Sequence, residues 1–218
     1  MGERPCATTL EPEMTAEELS ALDQWIGEGE LKGGHLEIGT AAGGTLCHMM
    51  GLYEQKRPKF SVVDTMSYFR DQFATVKKNL TDHGLKPDDV DFRVMSSDEA
   101  FAKAESNGDR FDFILIDASH KIRYVMNDLR WLRLLNVGGI ACFHDYAPRF
   151  KGVRWPIDRF LRRNAHFERV GLAGTLLGIR KARESTSTEV TGLDQLWALL
   201  CSPILQWDLS LQKRLGKA

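Results

Sequence analysis

The chain has 218 residues, 43% hydrophobic and 27% charged, with a formal net charge of -1, which suits one α/β domain with a short extension. That balance excludes a global attraction to nucleic acid or to an acidic membrane surface, and no run of ~18 apolar residues is present to span a bilayer. The opening MGERPCATTLEPEM lacks a signal peptide's apolar run, and Cys6, Cys47, Cys142 and Cys201 show no paired metal-ligand spacing, so a soluble, cytoplasmic protein with reduced thiols is expected.

Apolar runs alternate with helical periodicity, the pattern of βαβ units and a parallel sheet. A first helix is expected from Thr15 to Glu28, with Thr15 as cap and Glu18 placed for a capping box. His35 to Ile38 reads as a buried strand, followed by a glycine-containing loop (residues 39–44) and a helix to about Tyr53. Phe60 to Val63 is a second strand closed by Asp64, and a helix from Asp71 to His83 stops at Gly84. Val90 to Val94 makes a third strand, and Ser97 opens a helix ending near Asn107 and Gly108.

Phe111 to Ile116 (FDFILI) is too apolar to be half exposed, so it belongs in the sheet centre. A helix carrying Ile122, Val125, Leu129 and Leu132 is expected to stop at Gly138-Gly139, before a strand from Ile140 to Phe143. After a loop with Pro148 and Pro156 comes a helix near Ile157 to Arg163, then a hairpin of His166 to Leu172 and Thr175 to Arg180. Arg183 to Gly192 is polar and reads as a linker or mobile loop. Beyond it Leu193, Leu196, Trp197 and Leu200 share a helical face, expected to dock on the domain or on a second copy in a homodimer. The division is thus a domain over residues 1–182 and a tail over 183–218.

In an open α/β sheet, ligands bind beyond the carboxyl ends of the strands where the winding reverses. After the first strand the chain reads Glu37-Ile38-Gly39-Thr40-Ala41-Ala42-Gly43-Gly44. Glycine permits a sharp turn and close ligand approach, and the following helix offers its N-terminal amides to an anion. Glu37 suits a cationic ligand and is a poor neighbour for pyrophosphate. A nicotinamide-binding loop would carry G-x-G-x-x-G, whereas Gly39 and Gly43 stand four apart. Asp64, followed by Thr65, ends the second strand and is placed to accept hydrogen bonds from a ribose diol. Ser97 and Asp98 either meet an adenine ring or cap their helix.

The runs LEIGTAAGGT, the Asp64 strand end and LIDASH…GGIACFHDY resemble class I S-adenosylmethionine-dependent methyltransferases over roughly residues 15 to 180. Within that class the chain is similar to the small, often metal-dependent O-methyltransferases of antibiotic and sugar modification. The resemblance implies a doubly wound, mostly parallel seven-stranded sheet whose last strand is antiparallel. It also implies S-adenosylmethionine as cofactor, held by Glu37, Gly39, Thr40, Ala41, Gly43, Asp64, Thr65, Ser97, Asp98 and Asp117, with a small-molecule acceptor as partner.

Asp117 and the His144-Asp145 pair end the fourth and fifth strands, which should be neighbours. Their side chains can converge on one divalent cation, which lowers the pKa of a coordinated hydroxyl and orients it. The resembling branch has acids at all three positions, so His144 is a departure. Magnesium prefers oxygen ligands, whereas imidazole suits manganese, iron, zinc or nickel. Alternatively Asp117 caps the next helix and His144 bonds to backbone. An alternative is metal-free methylation, on oxygen or nitrogen, with His120 or His144 as the base, and a third reading is a cofactor-binding protein without catalysis. From Lys121 to Arg163 ten basic residues face three acidic ones; that is either a solvated face or, through Arg149, Lys151 and Arg154, a way in for an anionic acceptor. Tyr146 and Trp155 in the same loop either stack on a ring or simply pack.

Overall fold

The computed structural model describes residues 13–29, 31–53, 57–185 and 189–214. Cys6, residues 186–188 of the polar stretch and residues 215–218 of the tail lie outside them. Helix α1 (Ala16–Glu28) begins on a full capping box, with Thr15 and Glu18 bonded reciprocally. It is followed by β1 (Gly34–Ile38), α2 (Gly44–Gly51), β2 (Phe60–Asp64), α3 (Gln72–Asp82), β3 (Val90–Val94) and α4 (Ser97–Asn107). Then come β4 (Phe111–Ile116), α5 (Ile122–Asp128), β5 (Leu135–Phe143), α6 (Lys151–Arg163), β6 (Phe167–Ala173), β7 (Leu176–Lys181) and α7 (Gly192–Arg214).

The seven strands form one sheet in the order β3-β2-β1-β4-β5-β7-β6. The first five are parallel, and β7 runs antiparallel to both β5 and β6. FDFILI is the central strand, as its apolar character requires. Side chains alternate across it. Leu36, Ile114, Ala141 and Ile179 enter the core beneath α4 to α7, while Val62, Phe113, Leu115 and Cys142 enter the core beneath α1 to α3. The winding reverses between β1 and β4, so the cleft opens above their carboxyl ends.

Helix α1 crosses the antiparallel end of the sheet on Trp25, whose ring lies so close to Gly178 that a Cβ there would come within 2.8 Å of it. Glycine is needed in β7 for that contact, which ties the first helix to the last strands.

Four boundaries differ from the expectations above. Helix α5 ends at Asp128 and gives way to a 3-10 turn (Leu129–Leu134), and β5 starts at Leu135, before the glycines. Leu135 pairs with Phe111, the register then shifts, and Ile140 pairs with Phe113. Gly138 and Gly139 therefore sit within an irregular stretch of strand rather than at a helix stop. Helix α6 starts at Lys151, with Pro156 inside it. Ser96, not Ser97 or Asp98, caps α4 through a capping box with Glu99. Helix α7 is turned differently from the expected stripe. It packs against α5 and α6 on Ala198, Leu205, Trp197 and Cys201, while Leu193, Leu196 and Leu200 are exposed. On the packed edge Asp194 is buried in contact with Arg159 and Arg163.

The polar stretch is anchored where it is described: Glu189 and Val190 are buried, and Asn164 donates to the Glu189 carbonyl. Cys47 and Cys142 are buried free thiols and Cys201 is half-buried. No helix among the described residues is long and apolar enough to cross a membrane.

Candidate functional site

The loop after β1 is built by three left-handed positions, Gly39, Ala41 and Gly43. At Gly39, φ is +85° and a Cβ would lie 2.2 Å from the Asp117 carbonyl oxygen. The missing side chain lets the end of β4 press directly against the loop. From the other side, Gln72 and Asn79 of α3 donate to the Ala41 and Ala42 carbonyls. Asp64 staples the β1 and β2 loops by accepting from Thr40 N at 3.0 Å and Met66 N at 2.6 Å.

Within this frame Glu37 is 2% exposed, and neither its Oε2 nor the neighbouring Thr40 hydroxyl makes a hydrogen bond of good geometry. Burial pushes the Glu37 carboxyl up to about 8; the Thr40 contact opposes this, and the charges of Asp117 and Asp64 add to it. A buried carboxylate without a partner is costly, and an ammonium group beside it would remove both the orphan and the repulsion. The residues present therefore fit the amino-acid end of S-adenosylmethionine, with Asp64 next to it for a diol.

At the ends of β4 and β5, ligand atoms of Asp117, His144 and Asp145 lie within 4.8 Å of one another. His144 Nδ1 is 3.2 Å from Asp117 Oδ1 and 3.7 Å from Asp145 Oδ2, and its Nε2 faces Glu18 Oε2 at 3.7 Å. Burial works to lower the His144 pKa, but the Asp117 hydrogen bond and the charges of Asp117, Asp145 and Glu18 outweigh it and raise it to about 9. Asp145 itself is left-handed at φ +58°, a conformation rare outside glycine that recurs at functional sites. His120 Nε2 meets Asp145 Oδ2 at 2.8 Å, which raises the His120 pKa, and its ring lies 4.9 Å from that of Phe150. The mixed oxygen and nitrogen donor set fits a divalent transition metal better than magnesium. The space beneath the cluster, between Val125, Ile157 and His144, is only about 10 Å3, room for one water. A groove of about 430 Å3 between α1 and α2, lined by Ile26, Leu31, Leu52 and Tyr53, contains none of these residues.

The geometry thus gathers Glu37, Gly39, Thr40, Ala41, Gly43 and Asp64 on one side of the cleft, and Asp117, His120, His144 and Asp145 on the other. The Thr65 hydroxyl pairs with Ser67 at the exposed rim. Ser97 and Asp98 are turned toward α5: Ser97 bonds Asp128 and accepts from Trp131, and Asp98 pairs with Arg130 and accepts from Asn127. The Tyr146 hydroxyl donates to Asp158 and accepts from Arg169. Sequence reasoning read Glu18 only as a cap. It also accepts from Thr175 N and Oγ1, both at 2.7 Å, a contact across 157 positions for which the sequence carries no signal.

A family model described as a methyltransferase domain matches residues 36–146. No curated protein sequence matches the chain. Solved structures share the fold at low identity. CalS11, a TDP-rhamnose 3'-O-methyltransferase of calicheamicin biosynthesis, superposes with a TM-score of 0.63 and 17% identity over 76% of this chain and 80% of that one. The O-methyltransferase from Bacillus cereus in complex with SAH gives 0.61 and 15% over 78% and 83%. Cofactor-bound Rv0187 from MTB gives 0.62 and 15% over 80% and 84%.

Proposed function

Because the chain belongs to the methyltransferase-domain family, we propose that it moves the methyl group of S-adenosylmethionine to an oxygen of a small hydroxylated acceptor, a sugar or a phenol, with the help of a divalent cation. One observation carries this reading: the orphaned Glu37 and Thr40 oxygens and the Asp117-His144-Asp145 cluster share one cleft, joined where Gly39 touches Asp117. Oxygen as the acceptor atom is supported by the O-methyltransferases among the structurally similar proteins.

Methyl transfer from a sulfonium needs alignment of donor and acceptor and removal of a proton. Glu37 and Thr40 hold the amino-acid end of the cofactor, and Asp64 holds the ribose. Asp117, His144 and Asp145 would hold the cation, which supplies charge to acidify and orient the acceptor hydroxyl. His120, steered by Asp145 through Nε2, receives the proton on Nδ1. The 2.8 Å His120–Asp145 pair also favours a second reading, in which that pair acts as the base without metal. Free thiols at Cys47 and Cys142 support a reducing, cytoplasmic setting.

The test is turnover of a panel of sugars and phenols by metal-stripped protein, with magnesium, manganese or chelator. Asp145→Asn should abolish manganese binding and turnover while S-adenosylhomocysteine affinity stays within a few-fold, since the cofactor contacts lie on β1 and β2. Full turnover in chelator would transfer the role to the His120–Asp145 pair.

A further inference from the structure

We infer that Glu18 of α1 is a positioning residue that holds His144 with Nδ1 turned toward Asp117 and Asp145, which makes the first helix part of the cation site. The inference rests on the cation reading above and concerns a residue outside the matched methyltransferase region, which begins at residue 36.

An N-terminal capping carboxylate normally serves only its own helix, at the surface. Glu18 is 2% exposed. Its Oε2 accepts from Thr15 N at 2.8 Å and Thr15 Oγ1 at 3.0 Å, and its Oε1 accepts from Thr175 N and Oγ1. The Thr175 carbonyl in turn accepts from Tyr146 N at 2.8 Å, directly after Asp145. Glu18 therefore clamps the turn between β6 and β7 against the segment that carries the cluster. Its Oε2 then stands 3.7 Å from His144 Nε2, longer than a hydrogen bond and within ion-pair reach.

The two edges of the His144 ring are thus divided. Nδ1 faces the cluster and Nε2 faces α1. A metal-binding imidazole uses one nitrogen and offers the N–H of the other to a carboxylate, which fixes tautomer and ring orientation. Glu18 is the carboxylate that faces Nε2, at ion-pair distance, so it acts on the ring through its charge, and Trp25 against Gly178 holds its helix in place.

The experiment is calorimetric titration of metal-stripped protein with manganese, for wild type, Glu18→Gln and Gln24→Gly. Glutamine preserves the shape and one acceptor oxygen for the Thr15 cap, but removes the charge and turns an NH2 donor toward Thr175. Gln24 is exposed on α1, so its glycine variant loosens the helix without touching Glu18. Glu18→Gln should bind manganese ~10–100-fold more weakly, the usual effect of removing such an outer partner, with S-adenosylhomocysteine affinity within threefold of wild type. Gln24→Gly should lower the melting temperature and leave manganese affinity unchanged. Wild-type manganese affinity in Glu18→Gln overturns the positioning role alone. Equal weakening in both variants reduces Glu18 to a general support for α1 and overturns it too. A wild-type protein that binds no manganese sinks the cation reading and this inference together.

Discussion

The two sides of the cleft are stabilised by different means. At the ends of β1 and β2 the frame is mainly backbone: left-handed loop positions, amides held by Asp64, and carbonyls held by Gln72 and Asn79. It leaves one buried carboxylate deliberately short of partners. At the ends of β4 and β5 the frame is side chain on side chain, with imidazoles between carboxylates from three separate elements. A backbone frame tolerates few substitutions but presents a fixed pocket. A side-chain frame can lose one member and keep its fold, because the charge of each group is shared among several partners.

The largest expected effect breaks the backbone side. Gly39→Ala must hold a positive φ and place a Cβ 2.2 Å from the Asp117 carbonyl. The left-handed conformation alone costs roughly 1–2 kcal/mol, and the steric overlap adds to it. A melting temperature at least ~4 °C below wild type is expected, with loss of S-adenosylhomocysteine binding in calorimetry. A folded variant that binds as wild type would mean that the loop does not pack against β4 as described.

The next effect is smaller and sharpens the contrast. Asp64→Ala removes the staple between the two loops and the acceptor for the ribose. Hydrogen bonds to a charged group contribute ~1.5–3 kcal/mol each, so S-adenosylhomocysteine affinity should fall at least about tenfold in a protein that stays folded by circular dichroism. Manganese binding should be unaffected, because Asp64 is not a member of the cluster. A parallel loss of manganese would show that the two sides are one mechanical unit.

The same division separates what could be read in the sequence from what could not. The glycine loop, the capping box at Thr15 and the apolar FDFILI strand are local patterns, and each forms where its spacing places it. Asp117, His144 and Asp145 were legible as neighbours because they end consecutive strands, which pair in the sheet. Glu18 was not legible, since its second set of bonds reaches Thr175 through the tertiary fold. Helix α7 shows the limit of periodicity. Leu193, Leu196 and Leu200 form an apolar stripe, yet the buried edge is the one with Ala198, Cys201 and Leu205, where Asp194 meets Arg159 and Arg163. Gly138-Gly139 carried the signature of a helix stop, and the irregular register of β5 absorbed it.

The smallest expected effect lies at the seam between the two sides, where α4 from the cofactor half meets α5 from the acceptor half. Ser97 accepts from Trp131 Nε1 at 2.9 Å and donates to Asp128 Oδ1 at 2.5 Å. Burial pushes the Asp128 carboxyl from its ordinary 3.8 up to about 7; Ser97 and Arg130 oppose this and Asp98 adds to it. Between those values the folded chain keeps a proton that the unfolded chain releases. Folded stability therefore falls as pH rises through the window from about 4 to 7, and it levels off above. Asp128→Asn keeps an acceptor for Ser97 and carries no titrating proton. Its melting temperature should gain on wild type between pH 5 and pH 8, by about 2–4 °C for each kcal/mol of the linkage. The gain should appear without any change in S-adenosylhomocysteine or manganese affinity, because the seam touches neither set of ligands. A melting-temperature difference that stays constant over that range would mean that Asp128 is ionised in the fold throughout, with its charge already offset by Arg130.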